Sequence, residues 1–235
     1  MTVAEIMIQL EALGSEQTKK TWMKHGAKEP YFGVKIGDMK PIQKKVKENY
    51  AIAMELYDTG NSDAMYLAGL IAEPKKMSKA DLQHWAEQAT WYMISEFTVA
   101  WVAAESDFGW EMGLQWIENE EEKIACSGWS TLSACLSLER FTPPKDEELL
   151  ALLNRISKEI YLAKNRVRHT MNHFVVAVGS FVPSLTEKAK EIAVNIGTVE
   201  VDMGGTYCKV PDAKAYIEKV EAKGNIGKKR KMARC

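Results

Sequence analysis

Side chains able to hold an anion are the most telling chemistry in this sequence. They concentrate in the stretch 164–181, KNRVRHTMNHFVVAVGSF. Read as a helix, Asn165, Arg168, His169, Asn172 and His173 fall at i, i+3, i+4, i+7 and i+8 and share one face. That face offers hydrogen-bond donors and no carboxylate. Val167, Met171, Phe174, Val175 and Val178 form a second, apolar face that wants a core. Lys164, Arg166 and Arg168 crowd the helix start, where the macrodipole disfavours cations by a few tenths of a kcal/mol each. An anion lying across that start, such as a backbone phosphate, would reverse the penalty. The competing reading is a solvated rim whose charges nearby acids neutralise. His169 and His173 have metal-compatible spacing, but no Glu or Cys set accompanies them, so they read as polar-face histidines with no metal site.

Charge elsewhere is unevenly spread. The 235 residues carry a formal charge of −1, yet the segment 80–122 holds ten acids and no Lys or Arg. From 209 to 235 there are nine basic residues against three acids, with KKRK near the end. Lys40, Lys44, Lys45 and Lys47 make another basic run. An acidic zone and basic zones on one chain imply one anion-seeking side. The four cysteines (Cys126, Cys135, Cys208, Cys235) show no CxxC pair and read as free thiols in a reducing cytoplasm. No apolar run is long enough to span a bilayer, and no signal-peptide pattern is present. Phosphate-loop, GxSxG, HExxH and Rossmann glycine patterns are also missing. Seven tryptophans are mostly core candidates, and any exposed on a concave face would be stacking platforms for a base.

The elements that must position these groups read as helix after helix. The expected segments are 2–14, 15–26, 38–47, 50–59, 62–72, 78–93, 95–104, 108–117, 120–138, 146–163, 164–181, 184–195 and 212–223. Thr2 with Glu5 makes a capping box, and Ser78 with Asp81 predicts a cap. So many short helices fit an α-solenoid of helical pairs better than a four-helix bundle. The pattern changes once. Residues 197–201 and 206–210 alternate around Asp202-Met203-Gly204-Gly205, which predicts one β-hairpin at about 198–210 near the C-terminus. Residues 1–224 then form a single domain, and 225–235 a mobile basic tail.

The linker Tyr31-Phe32-Gly33-Val34 and the helix running through Lys45, followed by many short helices, resemble the DNA alkylation repair glycosylases built of HEAT-like repeats. The resemblance spans roughly 22–180. The stretch Trp91-Tyr92-Met93-Ile94-Ser95-Glu96 stands where that family carries Trp-Asp-x-x-Asp, and Gly128-Trp129-Ser130-Thr131-Leu132 where an aromatic precedes an arginine. The catalytic Asp then falls on Glu96, the tryptophan beside the damaged base on Tyr92, the arginine on Leu132, and a last aromatic near His173 or Phe174. The resemblance implies a HEAT-like superhelix that binds DNA and excises positively charged alkylated purines, a hydrolase using no metal or nucleotide cofactor. Glu96 and Tyr92 would be catalytic. Lys44, Lys45, Arg166, Arg168, His169, His173 and Lys209 would contact DNA, the last from the hairpin. Because the motif is altered, the alternatives are a non-catalytic binder of damaged or branched DNA, or a helical-repeat scaffold for proteins.

Overall fold

The computed structural model describes residues 1–234, and among them thirteen α-helices. In chain order they are α1 (Val3–Leu13), α2 (Glu16–Lys24), α3 (Ile36–Val46), α4 (Tyr50–Asp58), α5 (Ser62–Ile71), α6 (Lys79–Gln88), α7 (Ala100–Glu105), α8 (Gly109–Trp116), α9 (Glu122–Leu136), α10 (Asp146–Glu159), α11 (Asn165–Phe181), α12 (Thr186–Ile196) and α13 (Ala213–Ala222). A π-helical segment, Met93–Val99, leads directly into α7. Local chemistry explains many of the starts. The Thr2 hydroxyl accepts from Glu5 N–H while the Glu5 carboxylate accepts from Thr2 N–H at 2.9 Å, and Ser78 and Asp81 repeat the device before α6. Asn49, Asn61 and Asp212 cap α4, α5 and α13.

Helices pack in successive pairs, α4 on α5 and α8 on α9. An inner row joins the pairs: α5 meets the π-helical segment, that segment meets α9, and α9 meets α11. The core follows this row in two clusters, one from Ile6 to Leu138 with Ala233 added, the other from Ile117 to Ile217. Trp110 and Phe141 pack against both, so apolar burial is continuous along the array. This is the all-α helical array that the residue pattern predicts.

The expected hairpin does not form: among the described residues no strand is present. Side chains from α11 and from the turn before it hold the segment instead. Asn165 on α11 donates its amide to Asp202 O and accepts from Asp202 N–H, both at 2.8 Å. Asn172 donates to Pro211 O at 2.9 Å, and the Tyr161 hydroxyl donates to Thr198 O at 3.0 Å. Held this way, 197–212 is an extended arm, and two strands alone would gain little by pairing. The chain only bends near the expected turn: Gly204 has φ +66, and its N–H donates to Asp202 Oδ1.

Residues 225–234 are packed rather than free. Gly227 N–H reaches Ser180 O, and Arg230 N–H reaches Ser137 O, each at 2.8 Å. Ala233 is fully buried, and its N–H donates to the Glu105 carboxylate at 2.6 Å. Arg234 donates to the carbonyls of Leu70 and Ala72 and pairs with Glu48. The segment is therefore a strap across the C-terminal ends of α11, α9, α7 and α5, where helix dipoles are negative and donors are wanted. Cys235 lies outside the described residues.

Candidate nucleic-acid interface

The centre of the inner row is one buried ion cluster. Glu96 sits in the π-helical segment, a geometry that is rare and often found where a side chain must be re-aimed. The segment runs close to α5: a Cβ on Gly69 would meet Thr98 Cγ2 at 2.6 Å, so only glycine allows the approach. Arg166, in the first turn of α11, grips Glu96 with two parallel bonds, Nε to Oε1 at 2.8 Å and Nη2 to Oε2 at 2.6 Å. His169 Nδ1 lies 3.5 Å from Oε2. The Glu96 side chain is 4% exposed and that of Arg166 16%. Burial alone would raise the Glu96 carboxyl, but bonds from His169 and Arg166 and their charge outweigh it and hold the group below its usual range. Burial would lower Arg166, and Glu96 more than restores it.

Other groups extend the cluster. The Arg166 guanidinium lies 4.3 Å from the Tyr92 ring centre, a cation–π contact. The Tyr92 hydroxyl is 3.1 Å from His25 Nδ1. On the far side the His169 and His173 rings lie 4.4 Å apart. The His173 ring keeps access to solvent from the concavity, yet the surrounding protein and then His169 push its pKa down to about 4. It is a neutral imidazole at pH 7.

The cluster divides two cavities. One, of about 710 Å³, lies between Lys24, His25 and Lys28 at one rim and Asn165, Arg166 and Asp202 at the other. Acids stand among its cations, including Glu121, Glu122 and Asp202, so the charge there is mixed. The arm crosses its mouth, bringing the tip so near α2 that a Cβ on Gly204 would meet Lys24 O at 2.9 Å. The second cavity, of about 580 Å³, is bordered by Glu96, His169 and His173 and by the strap.

The residues singled out from sequence are therefore brought together only in part. Glu96, Tyr92, Arg166, His169 and His173 converge. Arg168 turns aside and donates Nε to Ala163 O at 2.9 Å. Asn165 and Asn172 hold the arm. Lys44 and Lys45 are exposed on α3 and border neither cavity, and Lys209 is exposed on the arm beside a fully exposed Tyr207. Leu132 is fully buried against α8, so no cation stands there. At the α11 start the anion is internal: the Glu122 carboxylate accepts from Arg166 N–H at 2.7 Å. Sequence reasoning missed Glu122, whose partner is 44 residues away. It also missed Asp63, whose buried carboxylate accepts from the N–H groups of Phe32, Gly33 and Val34 and pins the aromatic linker. Among the described residues no group of three or more His, Cys, Asp or Glu could hold a metal ion, and no helix is long and apolar enough to cross a membrane.

Comparison with known proteins places this geometry. The family model described as DNA alkylation repair enzyme matches residues 6–107. A solved structure described as "a new family of proteins related to the HEAT-like repeat DNA glycosylases with affinity for branched DNA structures" matches with a TM-score of 0.91 and 39% identity, covering all of both chains. The chain belongs to a family related to the HEAT-like repeat DNA glycosylases. This family member is also 33% identical to the uncharacterized protein Lin0241 of Listeria innocua serovar 6a, over 96% of its own length and all of that protein. It is 32% identical to the uncharacterized protein Lmo0209 of Listeria monocytogenes serovar 1/2a, over 93% and 97% of the two chains.

Proposed function

We propose that this protein binds branched or otherwise distorted DNA and holds it without cleaving a glycosidic bond. The observation that carries the reading is the Glu96–Arg166 pair. A carboxylate that stabilises a developing positive sugar must meet it with uncompensated charge at close range. Glu96 is buried and gripped through both oxygens by a guanidinium, with His169 behind it. Its charge is already answered. The affinity for branched DNA described for the fully covered structural relative supports the same reading.

DNA would lie along the inner row. Lys24 and Lys28 on one rim and Lys209 on the arm are the cations with room for phosphate. Lys44 and Lys45 extend the N-terminal contact, and His169 and His173 face the strands from the floor. Arg166 and Tyr92 serve the floor by shaping it, and Arg168, turned aside to Ala163, stands apart from it. The arm, with Tyr207 standing clear of the surface, is the element suited to enter between diverging strands.

Two measurements on the full chain test this. A four-way junction should be bound more tightly than a linear duplex of the same composition, and the affinity should fall steeply with salt as counterions are released. Incubation with methylated duplex DNA should release neither 3-methyladenine nor 7-methylguanine above background. Robust release by the wild type that Glu96→Gln abolishes would overturn the non-catalytic reading. A salt-insensitive or absent interaction with the junction would overturn DNA binding itself.

A further inference from the structure

The second cavity is chemically unlike a phosphate groove. Phe97 and Trp101 form one wall, their rings edge-to-face with centres 5.5 Å apart. His173 presents an imidazole with no hydrogen-bond partner among the described residues. Ser180, also on α11 and also lining the cavity, is 3% exposed, and its hydroxyl likewise has no partner among them. Buried polar groups are nearly always satisfied, so an orphaned hydroxyl on a cavity wall marks a place where something polar fits. Two cations of the strap, Lys228 and Arg230, stand at the edge. Arg230 donates Nε to Ser137 Oγ at 2.9 Å, which leaves both terminal amines without a partner among the described residues.

The combination selects a ligand. It must be flat and apolar on its faces to lie against Phe97 and Trp101. It must carry donors and acceptors on its edge for an imidazole and a hydroxyl. It must also bear an attached anion for the strap cations. A nucleobase out of its stack, with its own phosphate, meets all three requirements. The volume of about 580 Å³ lies within the usual range for ligand pockets. We infer that this cavity receives a single unpaired nucleotide of the bound DNA, the base between Phe97, Trp101 and His173 and the phosphate at Lys228 and Arg230. This inference rests on the DNA-binding reading above. It adds a reason for preferring distorted DNA, because a base already unpaired is the least costly to place there.

The test uses the full-length protein and three probes. They are a fully paired four-way junction, a duplex with one bulged 2-aminopurine, and the same duplex with the 2-aminopurine paired. The bulged duplex should bind about tenfold more tightly than the paired one, within the range expected for one stacked base. The anisotropy of the bulged 2-aminopurine should rise on binding as the base is immobilised. Ser133→Phe, which fills the cavity from α9, should abolish both effects. Phe97→Ala, which removes a stacking surface, should reduce the preference if the filled variant melts early by circular dichroism. Junction binding by the wild type with equal affinity for the two duplexes overturns the cavity assignment alone, as does a bulge preference that survives both substitutions. Failure to bind any probe overturns this assignment and the DNA-binding reading together.

Discussion

Glu96 and His173 pull stability in the same direction as pH falls, through different physics. His173 starts from about 6.5 and is held near 4 in the fold, so the unfolded chain takes up its proton first. Its contribution is complete above pH 6.5 and is lost as pH falls towards 4, moderated by the solvent access of the ring. Glu96 is held below 4.5, so its contribution is present above 4.5 and is lost as pH falls through its lowered folded value. Urea unfolding at pH 7 and pH 5 should show His173→Asn flattening the decline over that interval. Glu96→Gln should cost on the order of 3 kcal/mol at pH 7, because Arg166 would keep a buried charge with half its partner gone. A neutral effect of Glu96→Gln would mean that the pair is not closed in solution. The family match could be felt in these residues from sequence, but their pairing could not. Glu96 and Arg166 are 70 positions apart, and nothing local distinguishes a carboxylate awaiting substrate from one already engaged.

At the scale of elements, helices were legible because their signals are local. Thr2 with Glu5 and Ser78 with Asp81 announce starts, and apolar stripes at helical spacing announce faces. The arm shows where that logic ends. Val199, buried, and Val201, half-buried, alternate with exposed Glu200 and Asp202 because one side of an extended chain packs on the C-terminal core. The same alternation is the signature of a paired strand, and sequence cannot tell packing on helices from pairing with a second strand. The polar face of α11 was similarly divided by its surroundings. Arg166 and His169 face the concavity, whereas Asn165 and Asn172 face the arm. Asn165→Ala should therefore loosen 198–210 at a cost of about 1 kcal/mol per lost hydrogen bond while leaving the helices intact. Faster amide exchange or proteolytic cutting near Tyr207, with unchanged helical circular dichroism, is the expected readout. Unaltered protection of the arm would show that apolar contacts, not Asn165, hold it.

Over the whole molecule, the strap ties together parts that the helical row keeps distant. Arg234 is joined to Glu48, 186 positions earlier, and also donates to Leu70 and Ala72 carbonyls while lying 3.7 Å from Glu105. Its side chain is 7% exposed. Arg234→Ala should cost on the order of 2–3 kcal/mol, since two carbonyls lose a charged donor and the buried Glu105 loses a cation. A thermal melt that hardly moves would mean the strap adds nothing to the fold. The KKRK run reads from sequence as a free cationic tail, because composition reports charge and not destination. Lys229 donates to Phe141 O in the loop after α9, and Arg230 closes on Ser137 at the end of α9, so at least two of its four cations are tied to the fold.

Arrays whose units touch only their neighbours can unzip from either terminus one unit at a time. Here a terminus cannot fray alone, because loosening it breaks bonds to helices near the opposite end. The molecule is accordingly closer to a tied loop than to a stack, and its melting should be all-or-none. Forming that tie requires contacts across most of the chain, so it should be among the slower events when the protein refolds.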